Sequence, residues 1–268
     1  MSIKRFNAFL LLVLLLIFDV PAGGSGPVVG ALSPHHDVAG ALMDRLYERL
    51  RREAPSPRRV VLIGPDHFGR CRSNIVFGVP DWSTPWGTLR GDAEGAAFLS
   101  SILRRQDEAA RQDHCVAEHV PRVRRTFGDA PALSLLVKPG ATDLQILRAS
   151  RALQALLRDG GVVILSMDLS HYKPRAEADR EDARSLAALC AFRTEGLNGL
   201  DVDCPRGARL FLTLMRSLGN TRALVLERGN SDDFLPSPSP RTTGYAAVLF
   251  TREGQSAPPL IISPNRVE

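Results

Sequence analysis

Lysine is nearly absent from this chain. Lys4, Lys138 and Lys173 are its only lysines, so arginine carries almost all of the 34 basic charges. Those arginines do not gather. Arg51-Arg52, Arg58-Arg59 and Arg124-Arg125 are short pairs, with no dense cluster interleaved with aromatics. A net charge of +5 spread in this way describes a solvated surface rather than a nucleic-acid footprint, and no nucleic-acid partner is expected. Cysteine is scarce as well. Cys71, Cys115, Cys190 and Cys204 form no CxxC unit. This argues against a disulfide-stapled scaffold and against a closed four-thiolate zinc site. A single Cys190–Cys204 bridge stays open for an oxidising compartment. No glycine-rich phosphate loop follows a strand, so nucleotide binding has no support. The one long apolar run, residues 8–18, is eleven residues long. A bilayer crossing needs roughly 20.

That run follows Lys4 and Arg5 and ends at Asp19 and Pro21, with small residues around Val20-Pro21-Ala22. The pattern is that of a cleaved export signal over residues 1–24. An exported or periplasmic protein is the first expectation. An uncleaved membrane anchor and a cytoplasmic protein with a misassigned start are the alternatives. Membrane contact is expected only through such an anchor. The remaining chain, about 244 residues, suits one large α/β domain or two small ones. No Pro/Gly linker divides it, and no internal repeat is evident. A single domain over residues 25–254 is expected, followed by a loose Pro- and Ser-rich tail over 255–268.

Continuous apolar runs predict buried strands at residues 28–32, 59–64, 132–137 and 161–167, and shorter strands at 74–79, 223–227 and 244–250. Helical spacing predicts helices over residues 38–52, 92–105, 142–159, 177–192 and 204–218. Residues 81–92, rich in Trp, Pro, Thr and Gly, read as a long shaped loop. Residues 114–120 lie between helices or in a functional loop. The expected fold class is α/β: one three-layer domain with a central mixed or mostly parallel sheet covered by helices.

Chemistry concentrates in a few histidine segments. There are six histidines, and four fall in Ser33-Pro34-His35-His36-Asp37, Gly64-Pro65-Asp66-His67 and Ser166-Met167-Asp168-Leu169-Ser170-His171. These segments follow predicted strands, and the carboxyl ends of parallel strands are natural sites for functional loops. Imidazole can bind a borderline transition metal or move a proton. His35 and His67 are therefore candidate ligands, against the plainer reading of buried or loop-stabilising histidines. In an extended pair His35 and His36 face opposite ways, so one ligates while the other packs or meets substrate. Asp168 can orient an imidazole and His171 can transfer a proton or bind substrate. The alternative there is a helix cap at Asp168 or Ser170. Asp113-His114 and Glu118-His119 form a further set. His119 is its stronger member, and His114 reads as solvated.

The order of these landmarks resembles the Memo-like family, which includes protein B of the AmmeMemoRadiSam system. SPHHDVAG at 33–40, GPDH at 64–67, STPWGTLRGD at 83–92, EHV at 118–120, SMDLSHY at 166–172 and TGYAAV at 243–248 carry the likeness. The resemblance implies a fold related to extradiol ring-cleaving dioxygenases that use non-haem iron. It implies His35, His67 and Cys204 as metal ligands, with His171, Asp168 and His119 lining the same pocket in catalytic roles. Where the family often has Ala-Gly-Tyr after its first histidine, this chain has His36-Asp37-Val38. The familiar Cys-Gly pair is Cys204-Pro205, and Asp66 stands where a small hydroxyl residue is frequent.

The resulting expectation is a metal-binding protein, with iron or copper favoured and zinc possible as the cofactor, performing O₂-dependent redox chemistry on a small molecule. Two other readings stand beside it. One is a non-catalytic protein that binds metal or peptide in the same cleft. The other is a zinc-dependent hydrolase, in which the ion activates water.

Overall fold

The computed structural model describes residues 28–254. The expected leader and tail, residues 1–24 and 255–268, lie outside the described residues.

Four apolar runs make the centre of the structure. They are β1 (Val28–Ser33), β2 (Val60–Pro65), β7 (Ala132–Val137) and β8 (Gly161–Ser166), and every residue in them is buried. A strand buried on both faces needs apolar residues at every position rather than at alternate ones, which is what these runs supply. They pair in parallel in the order β7-β2-β8-β1. Antiparallel strands flank them. On one side lie β3 (Ile75–Gly78) and, beyond it, the two-residue β6 (Arg104–Arg105). On the other side lie β10 (Gly244–Thr251) and the edge strand β9 (Arg222–Asn230). The eight-stranded mixed sheet agrees with the three-layer α/β expectation.

Alternate residues of each central strand feed two cores. Leu32, Ile63, Leu135 and Leu165 face one layer, and Ala31, Leu62, Leu136 and Ile164 face the other. The first layer contains α2 (Ala93–Leu99), α6 (Asp143–Leu156), α7 (Arg175–Cys190) and α8 (Pro205–Ser217). The second contains α1 (Gly40–Glu53) and α5 (Val120–Phe127), which bury Leu42, Leu46, Val123 and Phe127. Two short helices, α3 (Asp107–Arg111) and α4 (His114–Ala117), connect β6 to α5.

Two segments differ from expectation. Residues 81–92 contain a two-stranded hairpin, β4 (Trp82–Thr84) and β5 (Gly87–Leu89), rather than a loop. The Thr84 hydroxyl donates to the Gly87 carbonyl at 2.6 Å, and Gly87 takes φ 99°, a backbone region that glycine reaches without a Cβ clash. Helix α2 stops at Leu99, and the chain re-enters the sheet as β6. The cysteines are all free, so no Cys190–Cys204 bridge forms. Cys204 is buried in the core beneath α8. The expectation of membrane contact through an N-terminal anchor is also corrected. Among the described residues no helix is long and apolar enough to cross a membrane. The segment assigned to that anchor lies outside them.

The entry to β2 is held by a buried ion pair. Arg59, immediately before the strand, donates through Nη1 to Asp92, and each residue is 2% exposed. Asp92 also caps α2 by accepting from the Gly95 N–H at 2.9 Å. One carboxylate thus serves both a strand and a helix. Arg59 keeps a second partner in Glu94, whose Oε2 lies 3.0 Å from Nη2, so Asp92→Ala should destabilise the fold by about 1–3 kcal/mol, from the lost cap and the lost buried charge contact. Urea unfolding checks this, and a midpoint unchanged from the parent would contradict it.

Candidate metal centre

The parallel strands end in step. Ser33 pairs with Ser166, Ile63 with Leu165 and Pro65 with Val137. The residues that follow β1, β2 and β8 therefore emerge at one edge. These are His35, His67 and Asp168.

His35 is 1% exposed and tightly fixed. Its backbone N–H donates to Asp168 Oδ1 at 3.1 Å, and its Nδ1 lies 3.0 Å from Ser166 Oγ. The Ser166 hydroxyl donates its single hydrogen to the Cys115 carbonyl at 2.7 Å. It can therefore only accept from His35, which places a proton on Nδ1 and turns Nε2 toward the cluster. That Nε2 lies 3.0 Å from Asp203 Oδ2.

His67 repeats the arrangement with a different partner. Its Nδ1 lies 2.7 Å from Asp113 Oδ1, and its backbone N–H donates to Asp113 Oδ2 at 2.9 Å. Its Nε2 lies 3.7 Å from the same Asp203 Oδ2. Asp113 also caps α4 through the Cys115 N–H. Asp66 holds the adjoining turn by accepting from the backbone N–H groups of Arg70 and Cys71, each at 3.0 Å.

Asp203 is the point of convergence. It sits just before α8, braced by backbone hydrogen bonds with Asp168. Its Oδ1 is buried with no hydrogen-bond partner among the described residues. The electrostatics follow from this crowding. Burial works against the charged forms of both histidines, but carboxylates outweigh it. Asp168 and Asp203 hold His35 above its ordinary value, and Asp113 and Asp203 raise His67 to about 9. Burial alone would raise Asp203, yet His35 and His67 keep it well below the usual carboxylate range. Burial pushes Asp168 up.

The other sequence candidates are placed as follows. His171 is partly buried beside Tyr172, with ring centres 5.8 Å apart. His119 is fully buried, with Nδ1 2.9 Å from the Tyr47 hydroxyl and Nε2 without a partner among the described residues. Burial pushes its pKa well down, so it stays neutral. His36 is exposed beside Asp37. Cys204 begins α8 with its sulfur turned against Gly207, and burial pushes that thiol well up. Among the described residues, three sets of donor atoms lie within 4.8 Å of one another: His35, His67 and His114; His67, Asp113 and Cys115; and His35, Asp168 and Asp203. Cys204 belongs to none of them, and none joins His67 with Asp203.

Sequence reasoning did not single out Asp203, and it read His114 as solvated, where the ring is 40% exposed and stacks on His67 at 4.0 Å. The one available signal for Asp203 was its position immediately before a helix-starting Cys-Pro. His114 had none beyond its acidic neighbour. A cavity of about 640 Å³ lined by Arg105, Arg111 and Ala96 lies toward the opposite end of the sheet and shares no residue with this cluster.

Two imidazoles whose Nδ1 atoms are engaged elsewhere and whose Nε2 atoms meet one carboxylate form a donor set suited to a transition-metal ion. The unpartnered Asp203 Oδ1 fits that use. The cluster and its α/β frame thus define a protein with the makings of a metal site. The Memo-like protein family model matches residues 20–249, and the chain belongs to that family. A MEMO1 family protein of Ignicoccus hospitalis is 29% identical over 237 residues, covering 83% of this chain and 82% of that one. One from Methanosarcina acetivorans is 28% identical over 236 residues, covering 83% and 85%. The crystal structure of the uncharacterized protein JW3007 from Escherichia coli K12 is similar in fold, with a TM-score of 0.55 at 15% identity, covering 82% of this chain and 98% of that one.

The Asp113 carboxylate is the support of His67. Asp113→Asn keeps a capable helix cap while removing the charge behind the ring. It should weaken binding of a divalent ion by roughly 10–100-fold with little change in melting temperature. Competition against a chromophoric chelator measures this, and parental affinity would refute the supporting role.

Proposed function

We propose that this protein binds one divalent transition-metal ion through His35, His67 and Asp203, and presents it at the sheet edge to a small-molecule or peptide ligand. One observation carries the reading: both Nε2 atoms face Asp203 Oδ2, while Ser166 and Asp113 occupy the two Nδ1 atoms. When bound, such an ion would polarise an oxygen of the ligand. The chain's own groups do the rest. Ser166 and Asp113 aim the rings. Asp168 fixes the His35 backbone and, with Asp203, locks two segments together. His171, which is partly exposed, would exchange a proton with a ligand.

Asp203 rather than Cys204 as the third ligand changes the preferred metal. A carboxylate is a harder donor than a thiolate, which favours iron or zinc over a soft copper ion. A second reading rests on the same set. Two histidines and a carboxylate with open positions suit a non-haem iron oxygenase, and kinship to extradiol dioxygenases belongs with this reading. Binding without turnover, and zinc-assisted hydrolysis, need nothing beyond the first reading.

Metal content of untagged protein, purified with and without oxygen, tests the proposal. The parent should hold about one ion per chain, Asp203→Ala should lose it and Cys204→Ala should keep it. Loss with Cys204→Ala and retention with Asp203→Ala would return the third ligand to the cysteine. Iron with substrate-dependent O₂ uptake would favour the oxygenase reading, and zinc without uptake would favour binding or hydrolysis. Export is proposed too, on the basic start and apolar run of residues 4–18. N-terminal sequencing of protein from separated cell fractions should find a chain beginning near residue 25, and an intact Met1 would overturn this.

A further inference from the structure

We infer that two arginine–aromatic pairs, Arg70 with Phe68 and Arg241 with Tyr172, form a recognition rim beside the proposed metal site, and that the rim selects a small molecule with a carboxylate on an apolar body. The inference rests on the metal-binding reading and names the class of ligand received there.

Exposed aromatic surface is the first argument. Tyr172 is 68% exposed and Phe68 53%, more than any other aromatic residue among the described ones. Each directly follows a histidine of the cluster's loops. The Phe68 ring centre lies 6.3 Å from that of His67, and the Tyr172 centre 5.8 Å from that of His171. A single exposed ring needs no explanation. Two, each beside such a histidine, give a ligand apolar surface to settle on.

Charge is the second argument. The Arg70 guanidinium carbon lies 5.3 Å from the Phe68 ring centre, and that of Arg241 lies 5.1 Å from the Tyr172 ring centre. Among the described residues neither side chain forms an ion pair; Arg70 reaches only the Gln112 side-chain carbonyl. Neighbouring cations are paired. Lys173 meets Glu177 at 2.8 Å and Asp201 at 3.3 Å, and Arg175 meets Asp233 at 2.6 Å. The two guanidiniums thus keep N–H groups for an incoming carboxylate, whose geometry their fork matches. The rings ask for an apolar body, which a bare inorganic anion lacks.

The backbone is the third argument. Tyr172 has φ 57°, a region that a bulky side chain avoids and glycine does not. Its neighbours impose it. The Ser170 N–H donates to Asp182 Oδ1 at 2.9 Å, and the Ser170 carbonyl accepts from the Gly244 N–H at 2.9 Å. Lys173 and Thr242 exchange two backbone hydrogen bonds, at 2.8 and 3.3 Å. His171 and Tyr172 are the residues left between these clamps, and the Tyr172 ring is turned out to water. Topology sets the pairs on either side of the cluster. Phe68 and Arg70 follow β2, whereas Arg241 precedes β10, which runs antiparallel to β1 and so begins at the edge where His35 emerges. In the order β2-β8-β1-β10 the outer two strands are three spacings, about 14 Å, apart, with the exits to Asp168 and His35 between them.

Cyclohexanecarboxylate and cyclohexanecarboxamide, alike in shape and different in charge, are the probes. Calorimetry follows each into full-length protein, both chelator-stripped and zinc-loaded. The parent should bind the carboxylate roughly tenfold or more tightly than the amide, the scale of a charge-assisted hydrogen bond. Arg70→Gln and Arg241→Gln should each cut that preference roughly threefold or more. Zinc itself attracts a carboxylate, so the dependence on arginine, read in both forms, is the deciding quantity. Tyr172→Gly should melt no lower than the parent, because glycine accepts the local backbone, yet bind both probes more weakly; that split separates recognition from a folding role. Parental preference in both arginine variants, or inorganic phosphate bound as tightly as the carboxylate, would overturn the rim, and zinc held at one ion per chain would leave the metal site standing. If the parent takes up no zinc, the metal site falls, and the stripped protein alone decides the rim: preference that depends on the arginines keeps it, and its absence removes it.

Discussion

Everything at the candidate site depends on four parallel strands ending in step. A shift of one residue in the pairing of β1 with β8 would turn every side chain of one strand to the opposite layer. It would exchange Leu32 for Ala31 in the first core and carry His35 away from Ser166. Because both faces of these strands are buried, the register is fixed by two cores at once rather than by one. The precision of the polar cluster is thus inherited from apolar packing. Hydrogen bonds such as Ser166 to the Cys115 carbonyl refine a position that leucine, isoleucine and valine have already set.

The cluster concentrates charge where water is scarce. Burial opposes every ionised group there, and it is offset because the groups arrive in complementary pairs: His67 with Asp113, and His35 with Asp203. Neither pair is self-sufficient, since the Asp203 carboxylate also faces His67, and one of its oxygens has no partner among the described residues. A structural ion-pair network would be expected to satisfy each buried oxygen. At Asp203 the two oxygens differ: Oδ2 faces both imidazoles, while Oδ1 is buried without a hydrogen-bond partner among the described residues.

Much of the fold was legible in the sequence because buried parallel strands leave an unambiguous trace. VVGAL, RVVLIG and GVVILSM contain few or no polar interruptions, and the histidines that follow the first two are where the sequence places them. The site was less legible for reasons of geometry. Asp203 and Cys204 are neighbours at a helix start, where the backbone turns sharply, so their side chains part company. The thiol goes under Gly207 and the carboxylate toward His35. No spacing rule separates them. Asp113 is distant from His67 in sequence and meets it only because α4 lies over the end of β2. His119, read from its motif as a pocket residue, is held through Nδ1 by the Tyr47 hydroxyl, a contact between α1 and the start of α5 that no motif spacing announces. The hairpin at β4 and β5 was hidden because its strands are only three residues long and its stabilising contacts are local hydrogen bonds rather than an apolar pattern.

Helix α4 has only four residues, yet it touches both fixed histidines. Its capping carboxylate, Asp113, holds His67, and the Cys115 carbonyl takes the hydroxyl hydrogen of Ser166 and so decides which nitrogen of His35 is protonated. The two rings, rooted on different strands, therefore share one governor. Sequence drift or a passing ligand that tilts this single turn would retune both rings together. The centre behaves as one adjustable part, and its two imidazoles cannot be tuned independently of each other.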